Sequence, residues 1–214
     1  MLGRIVASAA ILFASFSSFA GDGHDHSEAP ITDMSKAYKV IEQPQAVPAN
    51  GKVHVEELFW YGCGHCFSLE EHVESWASKL PADVEFSRVP AMFGKSWVIH
   101  AQMYYMTETL GITEQTHGDI FKAIHLKGER LQRKSEQQKF FAAYGVSEED
   151  FNKAYNSFTV KSRMKQADKR IRAYKVSGVP AIVVNGKYLV DAGSAGGQGN
   201  IFKVVDYLIE KERK

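Results

Sequence analysis

The chain has 214 residues, of which 44% are hydrophobic, with 26 basic against 25 acidic side chains. So even a balance argues against nucleic acid or an anionic membrane surface as the main partner. The length and apolar fraction allow one compact unit with a real core and room for an inserted subdomain, and nothing beyond the start of the chain suggests disorder.

Met1 to Ala20 carries one positive charge at Arg4, an apolar run around Ile11, Leu12 and Phe13, and small residues Ser18 and Ala20 at its end. This is the pattern of an export signal cleaved after Ala20. The apolar run is too short, and too interrupted by serine, for a spanning helix of about 20 residues. Its removal takes Arg4 with it and leaves basic and acidic side chains equal in number. Residues 21–35 are small, polar and charged and read as a flexible mature N-terminus. His24 and His26, beside Asp22 and Asp25, are expected to be part of that tail rather than a metal site, which needs ligands in fixed geometry.

Val53 to Tyr61 is rich in β-branched and aromatic residues and reads as a strand. After it, Leu69, Val73, Trp76 and Leu80 recur at helical spacing, with Pro81 just beyond. Between strand and helix lies Tyr-Gly-Cys-Gly-His-Cys, holding both cysteines of the chain, Cys63 and Cys66. In an oxidising compartment two cysteines usually mean one bridge. As a staple it would be poor: closing about four residues is worth only ~2 kcal/mol in the chain-entropy estimate, against ~3 for fifteen. As a metal site it offers Cys63, Cys66 and His65, with no second C-x-x-C to complete a tetrahedral set. A redox pair is the favoured reading, with staple and metal site left open.

The location sets the chemistry such a pair would have. Residues three apart at the start of a helix have Cβ atoms roughly 5 to 6 Å apart, close enough to bridge with modest adjustment. The free N–H groups and the positive end of the helix dipole favour an anion on Cys63. His65 can add a positive charge or a donor. A stabilised thiolate makes the disulfide the stronger oxidant, so the motif leans toward giving disulfides away. Cys66, one turn deeper, is expected to be the less exposed sulfur that resolves a mixed disulfide by attacking Cys63.

From Lys95 to Tyr174 the pattern is helical throughout. Ser135 with Gln138, and Ser147 with Asp150, resemble capping boxes, and Gly111, Gly128 and Gly145 stand where helices are expected to end. The aromatic residues here, Trp97, Tyr104 and Tyr105 among them, read as core of a small bundle. His100, His117 and His125 read as helix surface or satisfied core. Strands then return: Ala181 to Val184, an Asn185-Gly186 turn and Tyr188 to Val190 form a hairpin signal. Gly193 to Gly199 reads as a loop, because it lacks the context of a phosphate-binding motif. Asn200 is expected to cap a last helix with the apolar stripe Ile201, Val204, Val205, Leu208 and Ile209. No internal repeat is visible.

Strand, C-G-H-C, helix, and a later Gly178-Val179-Pro180 before an apolar strand resemble the thioredoxin superfamily. The long gap from Cys63 to Pro180, room for a helical domain, narrows the resemblance to the DsbA family. It implies an α/β thioredoxin-like fold, discontinuous over 36–94 and 175–214, with an all-helical insert over 95–174. It implies a periplasmic thiol:disulfide oxidoreductase, with Cys63 and Cys66 as the redox centre and no added cofactor or metal. Its clients would be unfolded exported proteins with free thiols, and a DsbB-like, quinone-linked membrane oxidase would recharge it. Val179-Pro180 matches the cis-proline dipeptide beside the reactive disulfide, where extended substrate pairs. Val179 is the oxidase-type residue there; isomerase relatives commonly carry Thr and a dimerisation domain for which this chain has no room, so a monomer is implied. Glu57 matches the buried acid beneath the active site, a candidate proton relay for Cys66, while Glu56 is expected to be solvated. Gly64 departs from the proline of many relatives, which leaves the strength of the couple open. A reductase or isomerase, and a metal carrier, remain the alternatives.

Overall fold

The computed structural model describes residues 30–213. The expected export signal and the residues His24 and His26 lie outside them. Of the expected flexible N-terminus, the last residues have local order: Asp33 caps a 3-10 turn, Met34–Lys36, through its carboxylate and the Ser35 N–H.

Five strands form one mixed sheet in the order β1-β5-β4-β2-β3: β1 (Lys39–Val40), β2 (Val53–Phe59), β3 (Val84–Pro90), β4 (Ala181–Val184) and β5 (Tyr188–Asp191). β2 pairs parallel with β3 and antiparallel with β4. Every residue of β2 is buried. That follows from its central place with both faces covered, and it is why the sequence there is not a simple alternation. The β4–β5 hairpin turns at Asn185 and Gly186, both with positive φ (49° and 63°), which fits the Asn-Gly signal.

One face of the sheet packs on α1 (Gly64–Ala77) and on α8 (Ile201–Glu212), whose stripe Ile201, Val204, Val205, Leu208 and Ile209 is buried with Val55, Ile182 and Val190. Between β3 and β4 the chain runs through five consecutive helices: α2 (Lys95–Leu110), α3 (Thr113–His125), α4 (Lys134–Ala142), α5 (Glu148–Asn156) and α6 (Phe158–Ala173). Their core, including Met103, Tyr104, Ile120, Phe121, Phe141 and Phe151, merges with Leu58 and Val183 of the sheet. Gly111 ends α2 in the left-handed conformation, its φ of 71° being open to glycine at little cost. Among the described residues no helix is long and apolar enough to cross a membrane.

Three local expectations need correction. Helix α4 starts at Lys134, and its box acid is Glu136, whose carboxylate accepts from the N–H groups of Gln132 and Arg133 at 3.0 Å each. A carboxylate is the stronger acceptor for free helix N–H groups, so Ser135 falls inside the first turn. Ser147 does cap α5, accepting from Asp150 N at 3.1 Å. The glycine-rich stretch is not all loop: Ala192–Ala195 forms a short helix, α7, because Asp191 and Ser194 cap each other's backbone N–H groups. Helix α8 is entered through a 3-10 turn, Gln198–Asn200, so Asn200 occupies the N-cap position in helical torsions, with its Oδ1 accepting from Lys203 Nζ.

Candidate active site

Register brings the site together. Leu58, near the end of β2, pairs with Ala181, the first residue of β4. The segment Val179-Pro180, joined by a cis peptide bond, therefore lies beside the point where β2 gives way to the cysteine motif. Between β2 and α1 the chain turns through Trp60, Tyr61 and Gly62, with Cys63 N donating to Trp60 O at 2.9 Å. Gly62 is required there: a Cβ would come within 2.3 Å of the Trp60 ring. Trp60 in turn stacks on Trp97 of α2, with ring centroids 4.0 Å apart.

Cys63 is the N-cap of α1, in extended torsions, and its sulfur accepts from Cys66 N at 3.3 Å. Both cysteines are free thiols, Cys63 half-buried and Cys66 buried. On its other side Cys63 Sγ donates to Val179 O at 3.4 Å. Hydrogen bonding from the Cys66 side chain holds the Cys63 thiol down at about 6; partial burial opposes this, and the N–H groups of Cys66 and His65 and the His65 charge assist. Burial drives the Cys66 thiol the other way, well above the ordinary thiol range, with the neighbouring Cys63 and the Glu57 charge adding to it. One sulfur is built to ionise and the other to keep its proton. His65 lies on the rim of a groove of about 830 Å³ that Val179, Pro180, Leu189 and Gln198 also line, and its carbonyl accepts from Gln198 Nε2.

Glu57 is fully buried on the α1 side of β2. Its Oε2 accepts from Arg88 Nε at 3.1 Å, while Oε1 has no partner. Desolvation raises its pKa to about 8, with Arg88 pulling down and Glu70 and Glu74 pushing up. Glu56 was expected to be solvated and is not. It is buried on the opposite face, bonded to Arg170 and to the Tyr174 hydroxyl, because a central strand leaves neither side open.

Sequence reasoning missed the partners of these acids. Arg88 reaches from β3 to Glu57, Glu70 and Glu74. A lone arginine within a strand between Val84 and Pro90 was the available signal. His117 of α3 is buried, with Nδ1 2.8 Å from the Tyr61 hydroxyl and Nε2 3.3 Å from Glu70 Oε2, a distance reached without hydrogen-bond alignment. Burial holds His117 below the ordinary imidazole range. The neutral ring facing a carboxylate keeps its hydrogen on Nε2, so Nδ1 accepts from Tyr61.

Comparison with known proteins matches this arrangement. The DSBA-like thioredoxin domain family covers residues 67–197 of the chain. The thiol:disulfide interchange protein DsbA of Azotobacter vinelandii is 49% identical over 183 residues, 85% of this chain and 86% of that protein. The protein of the same name in Pseudomonas aeruginosa is 43% identical over 210 residues, 98% and 97% of the two chains. The crystal structure of Pseudomonas aeruginosa DsbA superposes with a TM-score of 0.79 at 47% identity, covering 84% of this chain and 93% of that one. DsbA from Xylella fastidiosa gives 0.77 at 32% identity, covering 82% and 95%. A thioredoxin-like sheet interrupted by helices, with a C-x-x-C pair at the head of α1, and relatives this similar over nearly their whole length, make the chain a member of the DsbA family of thiol:disulfide oxidoreductases.

Proposed function

We propose that the protein is a periplasmic dithiol oxidase that passes the Cys63–Cys66 disulfide to exported proteins carrying free thiols. The observation that carries this reading is the opposed pair of sulfurs: Cys63 half-buried at a helix N-cap and held low at about 6, Cys66 buried and held high. A substrate thiolate attacks Cys63 Sγ, the Cys63–Cys66 bond breaks, and Cys66 leaves with the electron pair and takes a proton. Glu57, buried beneath and raised to about 8, is the acid within electrostatic reach of Cys66, so it relays that proton. A second substrate thiolate then attacks the substrate sulfur of the mixed disulfide, and Cys63 leaves as a stable thiolate. Two electrons pass from substrate to the pair, which ends as the dithiol.

Val179 and Pro180 would receive the extended substrate beside Cys63, and His65, which shares the stretch between the sulfurs with Gly64, strengthens the couple through its charge beside Cys63. The catalytic pair works without added cofactor or metal. Reoxidation requires an external acceptor, for which a DsbB-like, quinone-linked membrane partner is the reading, and the protein acts as a monomer. The division into 36–94 with 175–214, and 95–174, assigns catalysis to the first part and its framing to the second.

Redox equilibration with glutathione tests the proposal. An oxidase gives a disulfide reduced well above the glutathione couple and rapid oxidation of a dithiol peptide. A low potential, or efficient rescue of scrambled disulfides, would instead make the protein a reductase or isomerase.

A further inference from the structure

Helix α3 places a second histidine against the active-site motif. His125 Nε2 lies 2.8 Å from Tyr61 O, and since a carbonyl only accepts, this ring nitrogen carries the hydrogen and donates. The same ring stacks flat on Phe67, with centroids 4.8 Å apart and planes 6° from parallel. Tyr61 stands two residues before Cys63 and Phe67 one residue after Cys66. One side chain from outside the thioredoxin-like part therefore touches the chain on both sides of the two sulfurs.

The contact at Tyr61 bears on the sulfur chemistry through backbone geometry. The turn that delivers Cys63 is closed by the Cys63 N to Trp60 O bond, and the next carbonyl along is the one His125 holds. Fixing that carbonyl fixes the plane of the Tyr61–Gly62 peptide. Gly62, packed against the Trp60 ring, is otherwise the most permissive residue of the turn. The extended torsions of Cys63, and with them the 3.3 Å approach of its sulfur to Cys66 N, depend on that turn keeping one shape. A hydrogen bond to a thiolate weakens steeply once its alignment is lost. Tyr61 is anchored at its other polar end by His117, so the side chain itself cannot swing to compensate.

We propose that His125 is a positioning residue for Cys63: by donating to Tyr61 O it holds the turn in the shape that keeps the Cys63 thiolate aligned with the N–H groups of α1. The inference rests on Cys63 being the reactive, stabilised thiolate of the proposed function. Residues of α3 would then set the strength of the redox couple without touching either sulfur.

The test uses the full-length reduced protein and follows the ultraviolet absorbance of the thiolate against pH, together with equilibration against glutathione and a melting curve for each variant. His125→Phe keeps a ring for Phe67 and removes the donor. It is expected to raise the Cys63 midpoint by about one unit, and to lower the equilibrium constant for oxidising glutathione about tenfold, equal to ~30 mV for a two-electron couple. His125→Gln, whose amide still donates, recovers at least half of that shift. Phe67→Leu removes the ring contact, keeps the hydrogen bond, and shifts the midpoint less than His125→Phe does. The proposal is overturned if His125→Phe ionises like the parent, if Gln behaves as Phe does, or if Phe67→Leu shifts the midpoint equally. Should His125→Phe not fold, the Gln variant decides alone, and a full-unit displacement there overturns it. A parent Cys63 with an ordinary thiol midpoint would instead remove the proposed oxidase reading, which separates the two failures.

Discussion

Strand β2 sends two neighbouring glutamates to opposite sides of the sheet, and the two sides treat them differently. On the side of α6, Glu56 finds one partner for each oxygen, Arg170 for Oε1 and the Tyr174 hydroxyl for Oε2. On the side of α1, Glu57 has Arg88 for one oxygen and none for the other, and must share that arginine with Glu70 and Glu74. Burial is nearly the same, 4% exposure against 0%. The difference is saturation. A carboxylate with both oxygens satisfied is a strut, whereas one left short of partners in a dry site holds its proton into the neutral range and can exchange it.

The largest effect that would break this contrast is expected on the strut side. Glu56→Ala leaves Arg170 Nη1 and the Tyr174 hydroxyl without an acceptor, while Arg170 Nη2 keeps its bond to Ala46 O. Because the Arg170 side chain is 33% exposed, part of its charge is recovered by water, and the cost is set at the low end for a broken buried pair, about 2 to 3 kcal/mol. Denaturant titration of the oxidised protein measures it, and the Cys63 thiolate titration should not move. A variant of full stability with a displaced thiolate midpoint would reverse the roles assigned to the two acids.

Glu57→Gln should show the opposite pattern. Without an acid beneath Cys66, steps that load or unload its proton slow about ten- to a hundredfold near neutral pH, and the inflection near about 8 disappears from the rate profile. Stability gives an independent reading. A carboxyl raised from 4.5 to about 8 binds its proton more tightly in the folded state, so its contribution is full below 4.5 and is lost as pH rises toward about 8. The Gln variant therefore has a flatter stability curve across that window. Stopped-flow oxidation of a dithiol peptide and denaturant titrations at several pH values read the two effects.

How much of this was legible in the sequence follows from the same distinction. The cysteine pair, the hairpin turn and the last helix are local patterns, written in spacing and turn chemistry, and they were readable. Glu57 could be placed only through the resemblance, and Glu56 was misread because strand alternation says that neighbours face opposite ways, not that one of the two ways is water. Arg88, Glu70 and His117 come from a strand and two helices that meet only in three dimensions. Ion pairing across elements leaves no periodic trace. His125 was read as surface or satisfied core for the same reason, since nothing in its own helix indicates the Tyr61 carbonyl it holds.

At the sulfur end the same contrast reaches the dependence of stability on pH. In the reduced protein Cys63 is depressed from 9.0 to about 6, so its stabilising contribution is fully present above 9 and is lost as pH falls through about 6. The oxidised protein has no such thiol. The difference in stability between reduced and oxidised forms should therefore shift toward the reduced form by about 1 to 2 kcal/mol between pH ~6 and ~9, after discounting for the solvent screening of a half-buried sulfur. Paired denaturant titrations measure it. A difference that stays flat over that range would mean that Cys63 is an ordinary thiol, and the asymmetry of the pair would be lost.

The smallest effect is expected at Gly64, which separates what the α1 side holds by packing from what it leaves open. A Cβ at Gly64 would meet nothing within 4 Å. It is the first residue of α1, where proline is favoured, and Cys63 before it already has φ −89° and ψ 116°, the extended torsions a residue preceding proline requires. The backbone donors that lower the Cys63 thiol are those of Cys66 and His65, so the N–H lost at position 64 is not among them. Gly64→Pro should then stabilise both redox forms by ~0.5 to 1 kcal/mol through the unfolded chain alone, and leave the thiolate midpoint within about half a unit. Thermal melts and the thiolate titration check this. A large displacement of the midpoint would show that the flexibility of Gly64, and not the donors around the sulfur, sets the ionisation of Cys63.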